Sequence, residues 1–300
     1  MSSVKFGYYP LIIDATSDSE INNVISIGGT KILSLDYGAG HYYWTPADKL
    51  ISIDKSFFAM TSITGIIIPE SVIRISDSAF EGCSALSSVS IPGGVSYIGL
   101  RTFGSCTSLK KVYIANGVSA IGISSFNGCT ALQELTIPGS VKSIAEYAFN
   151  ICVSLSKLTL EYGLEEIKSQ AFSSCYGLKS LTIPGSVKTI GTKAFEECSN
   201  LSIISLEEGI NTISSQAFVL CAFKTITIPK SVTSLGAYLF YGCKDLTEAT
   251  ILAEVPPTCT LPIFPNSIQH IYVPSKSVDA YKAATGWSVF ADKIQAIPAS

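Results

Sequence analysis

Apolar positions along this chain recur with a long, fixed period rather than the short period of a single helix or strand. Phenylalanine stands at Phe80, Phe103, Phe126, Phe149, Phe172, Phe195 and Phe218, always 23 residues apart. Cysteine follows three residues later each time, from Cys83 through Cys106, Cys129, Cys152, Cys175 and Cys198 to Cys221. Phe240 and Cys243 continue the series after one 22-residue step, and Phe57 and Met60 are assigned to the same two slots one period earlier. Self-similarity at such a period marks a repeat array, in which one unit cannot bury its apolar face alone and stacked units can.

Aligned on the cysteine, one unit reads Val72, Ile75, Phe80, Cys83, Leu86, Val89, Ile91, and the next Val95, Ile98, Phe103, Cys106, Leu109, Val112, Ile114. Leu86-x-x-Val89-x-Ile91 has the leucine-rich pattern and predicts a short strand with Val89 and Ile91 inward and Ser90 outward. Pro92 ends that strand, as Pro69, Pro138, Pro184 and Pro229 end theirs, because proline lacks the N–H a ladder requires. Small residues before the phenylalanine (Ala79, Ala148, Ala171) predict a short helical or 3₁₀ turn packed tightly there. The expected fold is a leucine-rich-repeat solenoid. It is a right-handed coil stack of about 23 residues per coil, with a parallel β-sheet on one face and non-repeat caps at both ends. Eight or nine coils spaced roughly 4.8 Å apart make a rod about 40 Å long.

A second rhythm lies over the first. Coils with proline after the strand alternate with Ile114-Ala115, Leu160-Glu161 and Leu206-Glu207, and PGSV (184–187) alternates with EEGI (207–210). The array therefore reads as a duplication of coil pairs. One coil is a residue short between Cys221 and Ile226, which predicts that Phe223 takes the inward leucine slot across a tighter turn, since a deletion inside the strand would flip every later side chain.

Three segments are expected. Residues 1–48 form a strand-rich N-terminal cap, with runs such as Val24–Ile27 and Lys31–Leu35. Residues 49–252 hold the repeats. Residues 253–300 form a C-terminal cap with a short helix over Ser277–Ala284, where Ser277 is the N-cap, Val278 and Tyr281 share a face, and Trp287 completes the lid.

Composition narrows the function. Hydrophobic residues are 47% and charged ones 14%, too apolar for a disordered chain, and no apolar run is long enough to span a membrane. Net charge is -3 with Lys and Arg scattered, which excludes a nucleic-acid face. The nine cysteines lack any C-x-x-C pair, and the eight from Cys83 to Cys243 read as a buried column of free thiols with Cys259 outside it, so neither metal nor cofactor is expected. Neighbouring ladder cysteines come within disulfide range, but their side chains run parallel, which opposes bonding. Only two histidines exist, His41 and His270, so a hydrolytic triad is not expected. A glycan-active enzyme is a further alternative, but Glu165, Glu166, Glu207 and Glu208 fall in turns instead of facing each other across a cleft.

Candidate binding residues lie on the outward strand slots. After Ser90 they are Tyr113, Thr136, Thr159, Thr182, Ser205, Thr227 and Thr250, and the adjacent column (Ser88, Lys111, Glu134, Lys157, Ser180, Ile203, Glu248) mixes both charge signs. Threonine also suits an exposed strand on propensity alone. A second candidate is the aromatic patch His41, Tyr42, Tyr43 and Trp44, which either stacks on a sugar or plugs the first coil. Gly38-Ala39-Gly40 opens no helix and reads as a turn.

The unit L-x-x-V-x-I-P-x-x-V-x-x-I-x-x-x-x-F-x-x-C resembles the BspA-like, or treponemal-type, leucine-rich repeat. The ending Val273-Pro274, Tyr281-Lys282 and Gly286-Trp287 is similar to the tail of surface proteins from gut and oral anaerobes. The resemblance covers residues 49–300. It implies a non-catalytic, cell-surface or secreted adhesion protein whose partner is an extracellular protein or glycan; a spacer for another domain is the alternative. A monomer is expected. The first twenty residues do not follow the charged, apolar, small-residue order of a secretory signal, which leaves two readings: a chain that stays inside the cell, and one that has been trimmed.

Overall fold

The computed structural model describes residues 52–298 and, before them, the backbone of three strands: β1 (Leu11–Asp14), β2 (Ile32–Gly38) and β3 (His41–Pro46). From Ser88–Ile91 to His270–Val273 each coil begins with a four-residue strand whose burial alternates as the period-two pattern requires. In Lys111–Ile114, Val112 and Ile114 are buried while Lys111 and Tyr113 are exposed. Successive strands stack in parallel and in register, with Val89 beside Val112, Leu135 beside Leu158 and Leu181 beside Ile204. Equivalent residues therefore form continuous columns.

The chain then turns and makes a second, two-residue strand. These strands form a parallel ladder of ten among the described residues, from β4 (Ser52–Ile53) to Thr258–Cys259. Ile75, Ile98, Ile121 and Ile144 are among its buried members. The sequence reading placed these isoleucines in the core but assigned one sheet; the coil carries two. Ten rungs also exceed the expected eight or nine coils.

The third side corrects the expectation of a helical turn. Around Phe80, alternate amides bond locally and to the next coil: Ala79 N–H donates to Ser76 O at 3.3 Å, Phe80 N–H to Thr102 O at 2.8 Å, Glu81 N–H to Ser78 O at 3.1 Å, and Gly82 N–H to Gly104 O at 2.7 Å. A helix would bond all of them within the coil. Two left-handed residues per coil make the alternation possible, Ser78 (φ 55°) and Gly82 (φ 73°) here. The phenylalanine rings stack through this side, 5.0 Å and 4° between Phe126 and Phe149, and 5.2 Å and 5° between Phe149 and Phe172.

The first coil is framed differently from the sequence assignment. Phe58, not Phe57, stacks on Phe80 at 5.0 Å and 9°. Thr61 takes the cysteine slot, its Oγ1 3.5 Å from Cys83 Sγ, while Met60 is 79% exposed. Two adjacent phenylalanines satisfy the pattern equally, and only packing chooses between them. Phe223 lies in the core as expected, and the two-residue turn after the cysteine is missing in that coil.

The coil-pair rhythm has a steric origin. Gly209 (φ 117°) stands against Gly185, so that a Cβ on Gly209 would strike the Gly185 carbonyl and one on Gly185 the Glu208 carbonyl. Gly163 and Gly139 repeat the contact one pair earlier.

At the C-terminal end the ladders run past Leu252. Phe264 stacks on Phe240 at 5.6 Å, and His270–Val273 pairs with Glu248–Ile251 and with Ile294–Ala296. Helix α1 (Val278–Ala283) follows, with Ser277 at its N-cap position but no side-chain capping bond. Tyr281 and Trp287 are fully buried; the Tyr281 hydroxyl donates to Ala253 O at 2.8 Å and Trp287 Nε1 to Pro257 O at 2.7 Å. At the other end β1 pairs antiparallel with β3 and with β5 (Gly65–Ile67), in the order β2-β3-β1-β5. Val24–Ile27 lie outside the described residues.

Candidate ligand-binding face

The strand face carries the predicted column outward. Tyr113 is 65% exposed, and Thr136, Thr159, Thr182, Ser205 and Thr227 are exposed with it. Ser90 stands beside Tyr113, Thr136 beside Thr159, Thr182 beside Ser205 and Thr227 beside Thr250. The neighbouring column is paired across rungs where charges allow, as in Lys157 to Glu134 at 4.0 Å, an exposed contact of small energetic weight.

The face is interrupted by seams. Strands 88–160 form one hydrogen-bonded sheet of four, 180–206 a pair, and 225–296 another four, while β5 belongs to the sheet of the N-terminal strands. A depression of about 810 Å³ lies across the seam beside β5, lined among others by Ile67, Ser88, Ser90, Tyr113, Asn116 and Glu134. A smaller one of about 280 Å³ lies at the next seam, bordered by Thr159, Thr182 and Ile203. Ile67 (55% exposed) and Ile203 (68% exposed) are face residues whose part in these depressions sequence reasoning missed. Ile67 is hidden in the apolar run Ile66-Ile67-Ile68, and its only signal is its register with Ser90 before the strand-ending proline.

Of the aromatic patch, the structure describes the backbone. Tyr42, Tyr43 and Trp44 lie opposite Ile13, Ile12 and Leu11, and His41 opposite Gly38. Their side chains, and Ala39 and Gly40, lie outside the described residues.

The turn carboxylates are engaged in holding coils together. Glu161 accepts from Gly139 N–H at 3.0 Å, Glu207 from Gly185 N–H at 3.1 Å, and Glu208 from the amides of Lys230 and Ser231. Glu165 pairs with Lys142 at 3.3 Å. The ladder cysteines, Cys83 to Cys243, are buried and unbridged, and each thiol donates to the phenylalanine carbonyl one coil back, as Cys129 does to Phe103 O at 3.2 Å. Burial pushes their titration up: Cys83 to about 11, and Cys129, Cys198 and Cys243 to about 12. Cys259, outside the ladder, is partly buried. Among the described residues no three His, Cys, Asp or Glu side chains group as metal ligands. No helix among them is long and apolar enough to cross a membrane.

Six copies of the family model for the BspA type Leucine rich repeat region match the chain, over residues 51–179, 121–248 and 165–279. No curated protein matches it. Among solved structures, a leucine-rich repeat protein from Bacteroides ovatus is 31% identical with a TM-score of 0.67, over 80% of this chain and 61% of that one. This chain thus spans 61% of the length of the Bacteroides protein. A leucine rich cell surface protein from Faecalibacterium prausnitzii is 22% identical with a TM-score of 0.51, over 88% of this chain and 86% of that one, a likeness of fold alone.

Proposed function

The chain belongs to the BspA-type leucine-rich repeat family, and from that premise we propose that it is a non-catalytic, secreted or cell-surface binding protein that presents its strand face to an extracellular protein or glycan. The observation that carries this reading is the in-register row Tyr113, Thr136, Thr159, Thr182, Ser205 and Thr227, exposed on a broad face with little charge of one sign. Hydroxyls and an aromatic ring in fixed register supply hydrogen bonds and contact area at low ordering cost, because the strands already hold them. The carboxylates an enzyme would need are engaged in turn and surface contacts instead of paired in a cleft. The cell-surface description of the Faecalibacterium protein supports the location. On this reading residues 1–48 and 253–300 are caps, the first by strand pairing and the second through α1 and Trp287, and the protein acts as a monomer. The test is an immobilised panel of extracellular-matrix proteins and glycans probed with the purified chain. Saturable binding to at least one member is expected. Binding to none, or turnover of a panel glycan, overturns the reading.

A further inference from the structure

Within that face one feature narrows the ligand class. In the outward column Ile67, Ser90 and Tyr113 occupy three successive rungs, large, small, large. Ser87 N–H donates to Thr64 O at 2.9 Å, which holds the Ser90 rung against the Ile67 rung across the seam. Ile67 and Tyr113 are thus two rungs, about 10 Å, apart. Both line the depression of about 810 Å³, which continues past Tyr113 to Thr136 and Glu161, and Ser88 and Ser90 stand between them. Carbon contacts take about 4 Å on each side of an inserted ring, so a spacing of about 10 Å admits one ring and not two. On the rung of Tyr113 itself Lys111 offers an ammonium and Asn116 an amide, while Gln133 and Glu134 stand one rung beyond.

We infer that this notch is a glycan subsite that clamps a single pyranose ring between Ile67 and Tyr113. The inference rests on the strand-face reading above and adds the ligand class. A pyranose has apolar C–H faces and a perimeter of hydroxyls, which matches apolar walls with a hydroxyl floor and the Asn116 amide and Lys111 ammonium beside it. An aromatic side chain of a protein partner matches the walls equally but carries no polar group (phenylalanine) or one or two, where a pyranose carries hydroxyls around its whole perimeter. It would leave most of the serine hydroxyls and the Asn116 amide covered and unpaired, an outcome such sites reject strongly.

The test uses saturation-transfer NMR on the full chain with cellobiose, lactose, maltose and N,N′-diacetylchitobiose. The variants are Tyr113→Ala, Ser90→Phe and, as a control off the strand face, Lys282→Ala in α1. All three positions are exposed, so the fold is checked by far-ultraviolet dichroism and expected unchanged. The expected result is transfer to ring protons of at least one disaccharide, weakened at least tenfold by Tyr113→Ala and by Ser90→Phe, and unaltered by Lys282→Ala. Transfer to no disaccharide, or transfer indifferent to both notch variants, overturns the subsite. If the chain binds a matrix protein on the panel and Ser90→Phe leaves that binding intact while no sugar binds, the subsite falls and the broader reading of the face stands.

Discussion

The ring of Phe223 meets the ring of Phe240 edge-on, 5.8 Å between centroids and 87° between planes, beside a phenylalanine column that stays parallel, with Phe218 on Phe240 at 6.1 Å and 9°. Phe223 also meets Phe218 edge-on at 6.0 Å and 79°. The coil lost one residue between its cysteine and its strand, and the longer aromatic side chain reaches from the shortened turn to the place a leucine fills elsewhere. Phe223→Ala is expected to cost about 3–5 kcal/mol, and Phe223→Leu about 1–2 kcal/mol, since leucine is too short from this turn. Urea unfolding checks both; a neutral Phe223→Leu would show that the turn, not the ring, adapts.

The phenylalanine column should behave as a nearest-neighbour stack. Phe149 touches rings on both sides, at 5.0 Å and 5.2 Å. Phe149→Ala is expected to lower stability by about 3–5 kcal/mol. Phe58→Ala, in the first described coil, should cost less if the array frays from its ends. Equal costs in the same denaturation series would contradict the stack.

The buried thiols should give the fold an alkaline limit. Burial raises Cys129, Cys198 and Cys243 from the ordinary 9.0 to about 12. The folded state therefore keeps protons that the unfolded chain releases. The thiol contribution is fully present below pH 9 and is lost as pH climbs from about 9 toward 12. Denaturation midpoints measured from pH 7 to 11 should fall above pH 9, and fall less in Cys129→Ala/Cys198→Ala. Thiol titration should label few ladder cysteines natively and nearly all in denaturant. An identical alkaline slope in the double variant, or bridged ladder cysteines in unreduced protein, would contradict this.

The glycine contacts that set the two-coil rhythm should resist any side chain. Gly209→Ala introduces a methyl against the Gly185 carbonyl at a φ of 117°. A cost of roughly 1–3 kcal/mol is expected. A thermal melt that shows no loss would mean the ridge can open without penalty.

Much of this architecture was readable before any coordinates. The Phe-x-x-Cys period places each coil, and the alternation in Lys111–Ile114 and its equivalents places Tyr113, Thr136 and Thr159 outward, because a strand has no other way to bury Val112 and Ile114. The two-residue strands were not readable, since a pair such as Tyr97–Ile98 is too short to show a period. Nor was the turn before Phe80, because the left-handed positions fall on residues as different as Ser78, Arg101 and Tyr147, which carry no common mark. The notch escaped for a related reason: Ile67 sits between two buried isoleucines, and only the register of the strand separates it from them.

The most direct test of the strand face as the ligand surface compares two matched pairs of substitutions on opposite ladders. Thr136 and Thr159 are register partners on the strand face, and Thr189 and Thr212 are register partners on the two-residue ladder. Binding of the strongest panel ligand is measured by surface plasmon resonance for Thr136→Lys/Thr159→Lys and for Thr189→Lys/Thr212→Lys. The account predicts at least a tenfold loss of affinity for the first pair and none for the second. Loss in the second pair with the first unaffected would place the ligand on the other side of the coil and contradict it.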